Sequence, residues 1–154
     1  MTAMNHELSI SREVDVPRET LFRCWTDAAL LDEWFCPKPY RTRNTIIEPR
    51  TGGKFETEIY GPEGDSFPNI GVFLEVVQNE RIVTSDSYRS GWIPNPEPFM
   101  TAIITFEDLG GVRTRYTAVA RHWTAEAMKK HEAMGFEQGW NAALDQLVEL
   151  AQSL

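Results

Sequence analysis

The sequence predicts an α+β domain in which a curved antiparallel sheet of about seven strands wraps around a long C-terminal helix. Three observations predict this class. Short alternating stretches separated by tight turns fill the middle of the chain, two short helical patterns follow the first strand, and residues 124–154 form one amphipathic pattern. A sheet with one apolar face must be covered, and only the last segment is long enough to cover it.

The N-terminal part is predicted to hold one strand and two short helices. Residues 7–16 place apolar side chains on one parity, which is typical of a half-buried strand. Pro17 suits the first turn of a short helix. Asp27 can cap a second short helix over residues 28–35, and Pro37 stops it.

Six further strands are predicted from alternation and turn signals. They cover residues 41–48, 54–60, 69–77, 81–89, 100–107 and 112–122. The pair Gly110 and Gly111 is a strong hairpin signal between the last two. Because the connections are short, the strands are expected to form an antiparallel meander.

The C-terminal segment is predicted to be one helix from about Thr124 to Gln152, roughly 40 Å long at 1.5 Å per residue. Gly135 and Gly139 each cost about 1 kcal/mol inside such a helix relative to alanine. Their spacing puts them on one face, and we expect that face to lie against the sheet and a cavity. Trp140 is then expected to turn towards the two short helices.

Composition narrows the function classes. The 154 residues suit one domain over 1–154, and the formal net charge of −8 disfavours nucleic acid as a partner. No stretch approaches the roughly 20 apolar residues of a membrane span, and the N-terminus lacks the apolar core of a signal peptide. A cytoplasmic protein with no membrane span is therefore expected.

Cysteine and histidine usage points to neither a metal site nor a cofactor. Cys24 and Cys36 do not form a CxxC pair, and two reduced thiols are the simpler interpretation, with a disulfide left open. The three histidines lack metal-site spacing, and the Gly-Gly pairs fit hairpin turns rather than a phosphate-binding loop.

Four stretches carry a resemblance to a known family. They are VDVPRETLFRCWTDAALLDEWF, GGKFETEIYGPEGDSFPNIGVFLEVVQNERIV, ITFEDLGGVRTRYT and MGFEQGWNAALDQLVELA. The sequence resembles the SRPBCC (START-related) superfamily and, within it, the activator of heat-shock protein 90 ATPase homologue-like family. The resemblance implies the helix-grip fold with a cavity between sheet and helix. It does not imply one activity, because the superfamily includes lipid carriers, enzymes and chaperone activators.

Two positions depart from that family, and the first is Phe35, which follows Trp34 where members often have a second tryptophan. The second bears on the polarity of the pocket. Family members often have a tryptophan in the strand after the ERLV-like stretch, where this chain has Asp86 or Ser87. If that position faces inward, we expect a more polar pocket.

Aromatic side chains are the first candidates for a binding site, because aromatic-lined concavities hold apolar ligands. The cavity candidates, with the polar residues considered below, are Trp34, Phe55, Phe73, Glu75, Trp92, Tyr116, His122, Phe136 and Trp140. Phe55, Phe73, Tyr116 and Phe136 are predicted to share one enclosed space. For any single residue, ordinary core packing remains the alternative.

Polar candidates are fewer. His122 and His131 are possible acid–base groups, with a surface or rim histidine as the alternative. Glu75 has the same parity as Phe73, so it is a candidate inward carboxylate, with a strand-end surface residue as the alternative. Trp92 lies in the stiff segment SGWIPNPEP, a candidate lid or an ordinary hairpin connection.

Three functions follow from these residues and the resemblance. The favoured one is binding of a small hydrophobic or aromatic molecule, because no paired acid and base is evident. The second is a cyclase- or hydrolase-like enzyme using His122, Glu75 or Tyr116 in the same cavity. The third, implied by the resemblance, is a chaperone ATPase co-regulator acting by protein–protein contact. A chaperone or a second copy of the chain is the alternative partner, and no catalytic residue is assigned.

Overall fold

The structure, a computed structural model, describes residues 6–154. In chain order its elements are β1 (His6–Val14), α1 (Arg18–Thr26), α2 (Ala28–Leu31), β2 (Arg41–Ile47), β3 (Lys54–Tyr60), β4 (Ser66–Val77), β5 (Arg81–Ser85), β6 (Tyr88–Arg89), β7 (Ile93–Pro94), β8 (Thr101–Gly110), β9 (Arg113–His122), α3 (Ala125–Ala133) and α4 (Phe136–Ser153). None of the helices within this range is both long and apolar enough to cross a membrane.

Seven strands form one antiparallel sheet in the order β1-β9-β8-β5-β4-β3-β2. The predicted fold class is therefore confirmed, with two short helices after β1 and helices at the C-terminus. The predicted strand over 81–89 ends earlier, at Ser85. The short strands β6 and β7 form a separate hairpin.

The core lies between the inner face of the sheet and the helices. The inner face of the central strands contributes small and apolar buried residues, namely Ile82, Ala102, Ile104, Phe106, Ala118 and Ala120. From α4 come Phe136, Ala143, Leu144, Leu147 and Ala151, which recur at helical spacing. Helix α1 packs against both α4 and β8, so the short helices close one side of this core.

The second short helix is briefer than predicted. Asp27 caps it as expected, because its carboxylate accepts a hydrogen bond from the Leu30 amide at 3.2 Å. The helix ends at Leu31, however, and Trp34 lies in the following turns while remaining buried. Both cysteines are free thiols.

The predicted single C-terminal helix is wrong, because Gly135 divides it. Thr124 caps α3 by accepting a hydrogen bond from the Ala127 amide. Gly135 then adopts φ 93°, a left-handed conformation that ends α3 and precedes α4. Glycine takes this conformation without the steric penalty that a Cβ brings, so the residue is a helix junction rather than an interior glycine.

The expected orientation of the glycine face is also wrong. A Cβ built at Gly139 would have Pro37 Cγ as its nearest neighbour, at 4.0 Å, and at Gly135 it would meet only Gln138 Oε1, at 3.7 Å. The two glycines border a groove of about 560 Å³ that is open to solvent between Pro37 and the α3–α4 junction. They line the outer surface, so neither provides close contact between the helix and the sheet.

Candidate functional site

An aromatic layer fills the interior beside the short helices. Its members are Trp25, Trp34, Phe35, Phe55 and Phe73. The Trp25 and Trp34 ring centroids are 5.1 Å apart, and those of Phe55 and Phe73 are 5.4 Å apart, both edge to face. This geometry suits the aromatic quadrupole and adds to the hydrophobic gain of burial. The layer draws on α1, the turns after α2, β3 and β4.

Tyr116 joins the aromatic layer from β9, on the same inner face of the sheet. Its hydroxyl accepts a hydrogen bond from Trp25 Nε1 at 3.1 Å, and its ring packs on Phe106 at 5.8 Å. Burial raises the pKa of Tyr116, so the phenol stays protonated. Trp34 Nε1 donates to the Cys24 carbonyl at 3.0 Å, which satisfies the other indole. The polar tips of these rings therefore hold them in fixed orientations.

Thr57 brings an unpaired hydroxyl into the same interior. It follows Phe55 at the next position on the inner face of β3 and is only 2% exposed. Within residues 6–154 its Oγ1 has no hydrogen-bond partner. A buried hydroxyl without a partner costs about 1–3 kcal/mol, so this atom is available to a polar group of a bound molecule.

Two histidines form a buried pair at the end of β9. His122 Nε2 lies 2.8 Å from His131 Nδ1, and His122 Nδ1 lies 3.0 Å from the carbonyl oxygen of His6. Both imidazoles are 7% exposed. Burial, with the neighbouring His122, lowers the pKa of His131 to about 4, so His131 is neutral at pH 7.

Aromatic rings surround the histidine pair. The His131 ring lies 4.7 Å from Phe99, 5.1 Å from Phe136 and 6.1 Å from Trp140, measured between centroids. Phe99 and Trp140 are half-buried, whereas Phe136 is buried. These rings come from the segment before β8 and from α4, so the pair sits where sheet and helices meet.

Sequence reasoning missed this pairing, although it named both histidines. A signal was present. His122 is the last inward residue of β9, Thr124 caps the next helix, and His131 follows that cap by two helical turns. A helix that starts immediately after a strand and folds back over it brings the two positions together.

Asp86 fixes one of the surrounding rings. Its carboxylate accepts hydrogen bonds from the amides of Phe99, at 2.9 Å, and Met100, at 3.1 Å. Burial raises the pKa of Asp86, while these two hydrogen bonds oppose the rise. The position does not supply a polar pocket wall. It anchors the backbone that holds Phe99 against His131.

Glu75 is not an interior carboxylate, which corrects the parity argument. Phe73 pairs with Thr84, but Glu75 pairs with Val83, so β4 advances two residues where β5 advances one. This bulge turns Glu75 to the face opposite Phe73. There its carboxylate binds Arg81, with 47% of the side chain exposed. Glu75 therefore does not face the interior in which His122 and Tyr116 lie.

Trp92 is likewise outside the interior. It is 51% exposed, and its ring contacts Tyr88 in the β6–β7 hairpin, with centroids 5.7 Å apart. The segment is an ordinary hairpin connection on the surface.

The remaining candidates belong to one continuous apolar core. Those brought together are Trp34, Phe55, Phe73, Tyr116 and Phe136, with Trp140 packed against them and His122 at one end. Phe55, Phe73 and Tyr116 meet through the aromatic layer, whereas Phe136 contacts the histidine pair. Trp140 packs on Phe136, at 4.7 Å.

Comparison with known proteins decides the family. The family model described as activator of Hsp90 ATPase homolog 1-like protein matches residues 15–152. The chain belongs to this family. The resemblance carried by the sequence motifs is therefore confirmed, whereas a search of curated proteins finds no match.

Solved structures of similar proteins agree with this assignment. A crystal structure of a protein from Nitrosomonas europaea is 38% identical with TM-score 0.91, over 96% of this chain and 94% of that one. A solution structure from Arthrobacter aurescens is 23% identical with TM-score 0.82, over 96% and 87%. An AHSA1 protein from Silicibacter pomeroyi is 22% identical with TM-score 0.72, over 96% and 99%. The last two show the fold alone.

Proposed function

We propose that the chain binds a small apolar or aromatic molecule between the inner face of the sheet and α4. The observation that carries this proposal is the gathering of aromatic rings from both layers in one interior. Sites for small apolar molecules are lined mainly by such side chains, with a few polar atoms that set orientation.

The inner face of the central strands carries mostly small side chains. Ala118 and Ala120 on β9 face Ala102 and Ile104 on β8, so three of these four side chains are small. Half-buried rings such as Trp140 pack against the same core. A ligand that enters by moving such a ring therefore displaces few sheet side chains.

Binding without turnover is favoured over catalysis. Within the described part of the chain, no carboxylate is hydrogen-bonded to His122 or His131. A histidine base is usually oriented by such a partner. Glu75, the carboxylate considered from the sequence, lies on the outer face of the sheet, where it binds Arg81.

The test is a titration of naphthalene into the ¹⁵N-labelled protein, followed by amide chemical shifts. We expect saturable shifts at Phe55, Phe73, Tyr116 and Phe136. Trp92, on the exposed hairpin, serves as the internal reference and should not shift.

Two variants test whether naphthalene binds in the interior or on the surface. Phe136→Leu removes ring area from the interior and should weaken naphthalene binding about fourfold or more, at roughly 0.8 kcal/mol per buried methylene equivalent. Trp92→Ala removes an aromatic ring of the surface and should leave the Kd unchanged. Shifts confined to the outer surface, or a Kd sensitive only to Trp92→Ala, would refute the proposal.

A further inference from the structure

The backbone fixes the position of one proton in the histidine pair. The His6 carbonyl can only accept, so His122 Nδ1 carries the proton and donates to it, at 3.0 Å. In a neutral His122 the lone pair is then on Nε2. This atom accepts from His131 Nδ1, at 2.8 Å.

This hydrogen-bond direction determines the role of the other ring nitrogen of His131, Nε2. A neutral imidazole with its proton on Nδ1 has an acceptor lone pair on Nε2. Across residues 6–154 no protein group forms a hydrogen bond with that atom. It belongs to a ring surrounded by Phe99, Phe136 and Trp140.

A neutral His131 is compatible with this tautomer, in which both imidazoles are uncharged. Burial disfavours an imidazolium at His131, and its lowered pKa keeps the ring neutral at pH 7. The opposite direction requires a charged His122, whose Nε2–H would donate to His131 Nδ1. His131 Nε2–H would then be a donor and would select an acceptor instead.

We propose that His131 Nε2 is the polar anchor of the bound molecule, so that the chain selects an apolar or aromatic ligand that carries a hydroxyl donor. The inference rests on the proposed function and names the chemical class of its ligand. Phe99, Phe136 and Trp140 contact the apolar body, and the hydroxyl of a phenol or alcohol donates to Nε2.

The test compares three probes of similar size by isothermal titration at pH 7.5. They are 2-naphthol, which donates, 2-methoxynaphthalene, which cannot donate, and 2-acetylnaphthalene, which only accepts. We expect 2-naphthol to bind about five- to tenfold more tightly than the methyl ether, the gain typical of one hydrogen bond. The ketone should bind no better than the ether.

Two variants locate the preference. His131→Phe keeps an aromatic ring but removes Nε2, and it should abolish the preference while both probes still bind. His131→Asn is the second variant, in case His131→Phe does not fold. It keeps an N–H that can reach His122 but has no acceptor at the Nε2 position, so it should also abolish the preference for 2-naphthol. His6→Gln is the matched control, since only the main-chain carbonyl of His6 is used, and it should behave as the parent.

The outcomes separate the two proposals. Equal affinity of 2-naphthol and its ether, a preference that survives in His131→Asn, or tightest binding of the ketone would overturn this inference alone. Failure of all three probes to bind would overturn the proposed function and this inference together.

Discussion

Replacing Gly135 and Gly139 separately by alanine should change stability in opposite directions. The two residues are four positions apart and the substitution is the same. Only the backbone differs, because Gly135 has φ 93° and Gly139 lies in the first turns of α4 with its amide bonded to the Gly135 carbonyl at 2.8 Å.

The magnitudes follow from the local geometry. At Gly139 the new methyl meets Pro37 Cγ at 4.0 Å, an ordinary contact, so alanine should stabilise the helix by about 0.5–1 kcal/mol. At Gly135 the methyl is sterically free as well, with Gln138 Oε1 at 3.7 Å. Alanine there must adopt the left-handed conformation, which costs about 1–2 kcal/mol. Asparagine, which tolerates that conformation, should cost less.

The assay is urea denaturation with thermal unfolding as a second measure. For a domain of this size, 1 kcal/mol corresponds to about 2–4 °C in Tm. Gly139→Ala should raise the midpoint, Gly135→Ala should lower it, and Gly135→Asn should fall between Gly135→Ala and the parent. If Gly135→Ala stabilises as much as Gly139→Ala, the left-handed junction does not exist and the two helices are one.

Two further predictions concern buried polar groups. The pKa of His131 is lowered from 6.5 to about 4 in the folded state, so the unfolded chain binds the proton at a higher pH than the folded protein does. The free energy of unfolding should therefore be unaffected by His131 above pH 6.5 and fall by roughly 3 kcal/mol as the pH is lowered towards 4. The difference in unfolding free energy between the parent and His131→Asn, measured across that range, isolates this effect from the carboxylates, and parallel pH profiles would count against it. Tyr116→Phe leaves Trp25 Nε1 without its acceptor and should lower the free energy of unfolding by about 1–3 kcal/mol in urea denaturation, whereas Tyr88→Phe on the exposed hairpin should not. Equal midpoints for the two phenylalanine variants would show that the indole finds another acceptor.

The fold was predictable from sequence because it depends on local periodicity. The strand over 54–60 has the predicted bounds, Asp27 caps the short helix expected of it, and the C-terminal helical segment begins after Thr124 as predicted. Alternation and capping depend on neighbours within a few residues, so they are visible without knowing the tertiary structure.

The errors occurred where a single residue changes the strand register or the backbone conformation. Parity placed Glu75 beside Phe73, but an extra residue in β4 reverses every side chain after it. The apolar pattern continues across Gly135, so periodicity alone does not show the left-handed junction. Positions of this kind are decided by pairing with another strand or by one backbone angle.

The burial of most candidate residues was predictable from residue type, but the contacts between them were not. Seven of the nine cavity candidates lie in or against the core, and the exceptions are Glu75 and Trp92. The contact between His122 and His131 depends on how α3 folds back over β9, a tertiary relation that no single stretch of sequence encodes.

The hydrogen bonds at Asp86 make the following segment a loop closed at its base. The Asp86 carboxylate accepts hydrogen bonds from the amides of Phe99 and Met100. The main-chain carbonyl of Asp86 accepts a hydrogen bond from Asn95 Nδ2 at 2.6 Å. Once the ends are joined, lengthening the tip adds only about 0.6 kcal/mol of closure entropy per doubling of loop length. The β6–β7 hairpin around Gly91 is exposed. A reporter peptide or a fused domain inserted there would be carried by the protein with the interior rings left in place.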